Sequence, residues 1–260
     1  MSGDITTTTL RFARRLGNRK FRAAAGEFLV EGRQGVREAL RFGAVRRVLA
    51  TEEAARQFPE LVEAGYDRLT TAQARELAET TTPQGIFACC LAHPASLDEV
   101  IHDQARLVVF LAQIRDPGNL GTVIRCADAF GADGVVITAD SVDLYNPKTV
   151  RASVGSIFHL PIVTGVELGS AVAVAQAQGF RVFAADGSGR DLEALVAAGE
   201  LDDRVGWIMG NEAWGLPGNQ LDLADEVVRI PMWGQAESLN LSTAAAVCLY
   251  ATASRQRATR

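Results

Sequence analysis

Residues 230–246 read IPMWGQAESLNLSTAAA, and residues 208–217 read IMGNEAWGLP. In the first, a strand ends at Ile230-Pro231, and a polar turn carries Gly234, Glu237, Ser238 and Asn240. An apolar helix over Leu239–Ser254 follows. In the second, a buried strand over Val205–Gly210 opens into Asn211, Glu212 and Gly215. Two strand ends thus feed loops that combine glycine with hydrogen-bonding side chains. In open α/β sheets, ligands sit at such loops, outside the carboxyl ends of the strands. Without a Cβ, glycine lets backbone N–H groups approach a ligand closely. Helix capping accounts for one polar residue before the alanine-rich helix, not for Glu237, Ser238, Asn240 and Ser242 together.

Upstream of these loops, strand and helix patterns alternate from Arg106. RLVVFLA is a continuous apolar strand, Asp116-Pro117-Gly118 a turn, and Asn119–Phe130 a helix. Leu120, Val123, Ile124 and Ala127 share one face of that helix, Asn119 is a candidate N-cap, and Gly131 ends it. Strands follow at Gly134–Thr138, Leu160–Thr164, Arg181–Ala185 and Val227–Ile230, with helices over Leu168–Gln178 and Leu192–Ala198. Pro147 opens a further helix that carries Lys148 and Arg151. Unbroken apolar runs of this kind mark strands buried on both faces of a parallel sheet.

A second alternation occupies residues 10–92. Strands are expected at Phe28–Val30, Val45–Ala50, Tyr66–Leu69 and Ile86–Leu91, and helices at Val36–Phe42, Glu52–Glu63 and Ala72–Glu79. This pattern predicts a small mixed or parallel sheet covered by helices. The apolar-poor stretch HPASLDEVIHD (93–103) separates the two alternations. The chain therefore divides into a first domain over 1–95, a linker over 96–105 and a second domain over 106–260.

Composition narrows the class. The chain has 260 residues, net charge −5 and 48% hydrophobic residues. No apolar run reaches the ~18 residues of a membrane span, and the N-terminus lacks a signal-peptide core. Cys89, Cys90, Cys126 and Cys248 sit in apolar runs without metal-ligand spacing, so buried thiols in a reducing cytoplasm are expected and a zinc site is not. Despite the negative total, residues 10–22 (LRFARRLGNRKFR) hold six basic residues and no acid, a block able to meet a phosphate backbone. Gly187-Ser188-Gly189 follows a strand, but no third glycine completes a dinucleotide fingerprint. Trp214 fits packing or base stacking, and packing is the expected role.

Taken together, GNEAWGLP, IPMWGQAESLNLS and NLGTVIR (119–125) resemble the three motifs of the SpoU (TrmH-like) branch of the SPOUT RNA methyltransferases. RKFRAAAGEFLVEGRQGVREAL resembles the substrate-binding domain of that family, which is similar to L30e-type ribosomal proteins. The resemblance implies an L30e-like α/β domain that grips RNA, followed by a SPOUT α/β domain with a parallel sheet and a trefoil knot. It also implies methyl transfer from S-adenosylmethionine to a ribose 2′-hydroxyl of RNA by a homodimer. Ribosomal RNA, most of all 23S, is favoured over tRNA; a catalytically inactive RNA-binding protein or a base methylase are the alternatives. On the matching positions, Arg125, Asn119, Glu212, Ser238 and Asn240 are expected to be catalytic. Gly210, Asn211, Gly215, Ile230, Met232 and Leu239 are expected to hold the cofactor. Arg11, Arg15, Arg19, Lys20, Arg22 and Arg151 are expected to meet RNA. A guanidinium normally has a pKa above ~12 and is a poor base, so Arg125 needs an altered environment or acts electrostatically.

Overall fold

The structure is a computed structural model that describes residues 3–211 and 213–258. It separates into two compact units, one over Met1–His93 with Asp143–His159, the other over Pro94–Val142 with Leu160–Arg260. The segment Asp143–His159, expected in the second domain, thus groups with the first unit.

In the first unit, β1 (Gly3–Asp4), β2 (Glu27–Glu31), β3 (Val45–Thr51), β4 (Asp67–Leu69) and β5 (Ile86–Leu91) form a mixed sheet in the order β1-β4-β3-β5-β2. β5 runs antiparallel to both β2 and β3, while β3 and β4 are parallel. Ala13, Leu16, Leu49, Leu69, Phe87 and Cys89 cluster in its core. The basic stretch is two helices, Thr7–Arg15 and Arg19–Ala25, each capped by a side chain: Thr6 accepts from the Thr9 N–H and Asn18 from the Phe21 N–H. The helix expected to reach Glu63 stops at Gln57, and a 3₁₀ turn follows over Pro59–Leu61. Pro59 has no N–H to continue the helix, and it disfavours helical geometry in the residue before it.

The segment 143–159 is fixed to this unit by an ion pair. Arg22 is only 5% exposed. Its Nε donates to Asp143 Oδ2 at 3.1 Å and its Nη1 to the carbonyl oxygens of Leu16 and Gly17 at 2.7 and 2.9 Å. Tyr145 and Phe158 stack against the buried ring of Phe28, with centroids 4.5 and 6.0 Å away. A buried guanidinium must be hydrogen-bonded or its desolvation goes uncompensated, and here carbonyls and a carboxylate take up its donors.

In the second unit, β6 (Leu107–Leu111), β7 (Gly134–Thr138), β8 (Ile162–Val166), β9 (Arg181–Asp191), β10 (Val205–Met209) and β11 (Glu226–Arg229) form one sheet in the order β11-β9-β10-β6-β7-β8. Every pairing in it is parallel. β9 extends through the Gly187–Gly189 stretch, beyond the expected end at Ala185. Its register against β11 shifts between Val227 and Val228, and a Cβ at Gly189 would lie 2.4 Å from Val227 backbone atoms. The closing helix, Leu241–Ala258, is anchored on the sheet. Trp207 Nε1 donates to Thr252 Oγ1 at 2.9 Å, and Gln256 Nε2 donates to the carbonyl oxygens of Arg106 and Asp203. Arg255 grips both oxygens of Asp202 at 2.7 Å and holds that carboxyl below the usual carboxylate range.

Cys89, Cys90 and Cys248 are buried and Cys126 is half-buried; burial pushes the Cys248 thiol up to about 12, which keeps it protonated and unreactive at neutral pH. No helix among the described residues is long and apolar enough to cross a membrane.

Removing Asp143 strands the Arg22 charge, a change that typically costs about 3–5 kcal/mol. Asp143→Ala is expected to lower the unfolding free energy by that order in chemical denaturation, seen as a lower midpoint, and Arg22→Met by much less. Equal midpoints for wild type and Asp143→Ala would show that the pair does not anchor the segment.

Candidate active site and its relatives

The carboxyl ends of β6, β9, β10 and β11 meet in the second unit. After β10, Asn211 and Gly215 exchange backbone hydrogen bonds at 3.0 and 2.9 Å, which folds the loop into a tight turn. Gly215 takes the left-handed conformation, φ 69°, which glycine adopts without a Cβ penalty. A Cβ on Gly210 would come within 2.7 Å of the Gly215 backbone, so only glycine fits there. Asn211 is buried. Its amide nitrogen donates to the Gln113 carbonyl at 2.8 Å, and its oxygen accepts from the Ala213 N–H at 2.8 Å. This side chain ties the β10 loop to the β6 loop.

A cavity of about 290 Å³ opens beside this turn, close to the lower bound of roughly 300 Å³ for small-molecule sites. Gly210, Asn211, Gly215, Ile230, Met232 and Leu239 line it, together with Glu237 and Ser238. Ala185, Asp186 and Gly187 of β9 form a further wall. Those three were missed in the sequence; the signal was the Ala-Asp-Gly-Ser-Gly that follows the strand and reads as an incomplete dinucleotide motif. Asp186 Oδ1 is held by the Ser188 N–H and hydroxyl at 3.0 and 2.7 Å. The cavity therefore offers apolar contacts from Val228, Ile230 and Leu241 and two carboxylates, Asp186 and Glu237.

A second, open trough of about 460 Å³ lies alongside, lined by Arg115, Asp116, Asn119, Trp214 and Asn240. Asn211 and Ala213 wall both cavities. Asn240 Nδ2 donates to Asn119 Oδ1 at 3.1 Å, and Asn240 Oδ1 accepts from the Ser242 N–H and hydroxyl at 2.9 and 2.6 Å. Asn240 thus caps the last helix and reaches across to the helix Pro117–Phe130. Asn119 is not the cap of its own helix. Asp116 caps it and accepts from the Asn119 N–H at 2.8 Å, with Pro117 in the first turn. With the cap supplied by Asp116, the Asn119 side chain faces Asn240.

The remaining expected residues are dispersed. Arg125 is exposed on the same helix as Asn119, six residues further on and roughly 9 Å along the axis at ~1.5 Å per residue. It lines neither cavity. Glu212 lies outside the described residues. In the first unit, Arg11, Arg15, Arg19, Lys20 and Arg151 are exposed, and Arg15 and Lys20 share a hollow with Phe21, the Arg15 guanidinium 3.9 Å from the ring centroid. Arg22 is a correction: it is buried in the ion pair with Asp143 and presents nothing to a phosphate. Trp214, expected to be packed, is 56% exposed.

The comparisons agree with this architecture. The model of the SpoU rRNA Methylase family matches residues 106–250, and that of the MRM3-like substrate binding domain matches residues 8–88. The 23S rRNA (guanosine(2553)-2′-O)-methyltransferase RlmP of Bacillus subtilis is 36% identical over 91% of this chain and 92% of its own. The 23S rRNA (uridine(2479)-2′-O)-methyltransferase of Streptomyces viridochromogenes is 33% identical over 97% and 92%. Among solved structures, the SpoU methyltransferase AviRb from Streptomyces viridochromogenes in complex with the cofactor AdoMet superposes with a TM-score of 0.83 at 30% identity, covering 96% of this chain and 99% of the other. The chain belongs to the SpoU family of RNA methyltransferases.

Proposed function

We propose that this chain is an S-adenosylmethionine-dependent 2′-O-ribose methyltransferase acting on 23S ribosomal RNA in the cytoplasm as a homodimer. One observation carries the reading: a cavity and an open trough adjoin at Asn211 and Ala213, which line both. A donor in the one and an acceptor in the other, meeting at that shared edge, need only a direct displacement between them. Holding two reactants in that geometry supplies several kcal/mol of the barrier.

The donor cavity fits its group. Gly187 leaves open space at the wall, aliphatic side chains suit a flat adenine ring, and the Asp186 and Glu237 carboxylates suit hydroxyl or ammonium donors. The cofactor brings a methyl group on a positively charged sulfur. The chain's residues do the rest. The Asn119–Asn240 pair fixes the mouth of the trough where a ribose would lie. Ser238, two residues before that helix cap, lines the donor cavity. Glu212 follows Asn211 in the motif and is assigned to orienting the acceptor on that resemblance. The ribose oxygen bonds the methyl carbon as the carbon–sulfur bond breaks and the hydroxyl proton passes to water; Arg125 acts electrostatically on that oxygen, because a guanidinium is a poor base.

The placement of Arg125 supports the dimer. Within one chain it lines neither cavity, whereas a second copy related by a two-fold axis could bring its Arg125 to this trough. Val247 and Tyr250 stand 36% and 61% exposed on the last helix, beside an apolar groove of about 560 Å³ formed with Val196, Ala246 and Ala251. Such a patch suits self-complementary pairing. The trefoil knot belongs to the same reading. It rests on the family resemblance alone.

Labelled S-adenosylmethionine and fractionated total RNA test the reading, with mass spectrometry of the digested nucleosides. Wild type is expected to yield a 2′-O-methylnucleoside in the 23S fraction. Label in tRNA, a methylated base or no transfer at all would each overturn the corresponding part. Arg125→Ala is expected to lower the rate by about a hundredfold or more with S-adenosylmethionine affinity retained. Tyr250→Glu is expected to shift the protein to monomer in analytical ultracentrifugation; an unchanged sedimentation coefficient would place the dimer contact elsewhere.

A further inference from the structure

Trp214 is the large aromatic side chain of the open trough, and it is not packed away: 56% of it is exposed. Burying an indole is favourable, so a purely structural tryptophan would normally turn into the core. Instead this one is held in place from the polar side. Its Nε1–H donates to Gln113 Oε1 at 3.3 Å. Gln113 itself has φ 56°, one of two non-glycine residues with positive φ among the described residues. That conformation is uncommon for a residue with a Cβ, and it persists where surrounding contacts impose it. The contacts are present: the Gln113 N–H donates to Thr138 Oγ1 at 3.1 Å, and its carbonyl accepts from Asn211 Nδ2 at 2.8 Å. The strained residue therefore presents its side chain to the indole at the rim of the trough, next to exposed Arg115.

We infer that the Trp214 indole, positioned by Gln113, is a stacking platform for an unpaired RNA base at the methylated nucleotide, with Arg115 meeting an adjoining phosphate. This rests on the proposed methyltransferase reading and adds the element that receives the base. Three features favour a base as the occupant. A fixed, exposed aromatic plane stacks on any base, single-stranded RNA is recognised by splayed bases on aromatic side chains, and the trough adjoins the wall shared with the donor cavity. Gln113 is a positioning residue, since it acts through the indole.

The test compares wild type with Trp214→Ala and Trp214→Phe. Affinity for ribosomal RNA is measured by filter binding without cofactor, methylation as kcat/KM on the same RNA, and S-adenosylmethionine affinity by calorimetry. Loss of the ring is expected to weaken RNA binding and kcat/KM by roughly fivefold or more, the phenyl ring to recover most of the loss, and cofactor affinity to stay within about twofold of wild type. Equal RNA affinity for wild type and Trp214→Ala overturns the inference. So does a matching loss of cofactor affinity, which would make the indole part of the donor loop, and so does a shift to monomer on ultracentrifugation, which would make it a subunit contact. A wild type that transfers no methyl group fails the functional reading, and the RNA-binding ratio still decides the role of Trp214.

Discussion

The hydrogen bond from Asn240 Nδ2 to Asn119 Oδ1 is the contact on which the site depends. It joins the first turn of the helix Pro117–Phe130 to the residue that caps the helix Leu241–Ala258, so two helix starts meet at one point. The backbone needs around both partners are met by other groups. Asp116 caps the Asn119 helix, and the Asn240 carboxamide oxygen is occupied by Ser242. An amide is suited to such a bridge because it donates and accepts at once. Carboxylates at both positions would repel, and hydroxyls would not reach as far.

Close backbone approach is the second constraint. Gly210 packs against the Gly215 backbone and Gly189 against the Val227 backbone at distances that leave no space for a methyl group. The first brings the β10 turn tightly back on itself. The second lets β9 continue beside β11 to Asp191, which sets Asp186 and Gly187 into the wall of the cavity beside the β10 turn. The interior that carries these loops is an apolar parallel sheet. Its last helix is pinned by the buried Trp207–Thr252 bond, so the loop tips rest on a stiff support.

Much of this could be read from the chain. The six apolar strand runs of the second unit and the two glycine-bearing loops follow from pattern, because buried parallel strands and close backbone approach leave direct marks on sequence, whereas the expected cofactor residues from 210 to 239 come from the family resemblance. Other features left none. Arg22 sits in a basic block and looks like a phosphate contact, yet its burial depends on Asp143, 121 positions away, which no local pattern relates to it. The cap of the helix at Asp116 hides inside Asp-Pro-Gly, which reads equally well as a turn. The β9 wall is disguised by glycines that usually end a strand. Trp214 looked like core, since composition does not tell whether a tryptophan beside a glycine turn faces in or out.

The position of the methyl donor decides how the two hollows work together. A crystal structure of the protein with S-adenosylmethionine bound is the most direct measurement. The adenine is predicted to lie against Ile230 and Leu239, with the sulfonium methyl directed across the Asn211–Ala213 wall toward Asn119 and Asn240. A donor held in another cavity, or one whose methyl points away from the asparagine pair, would contradict it.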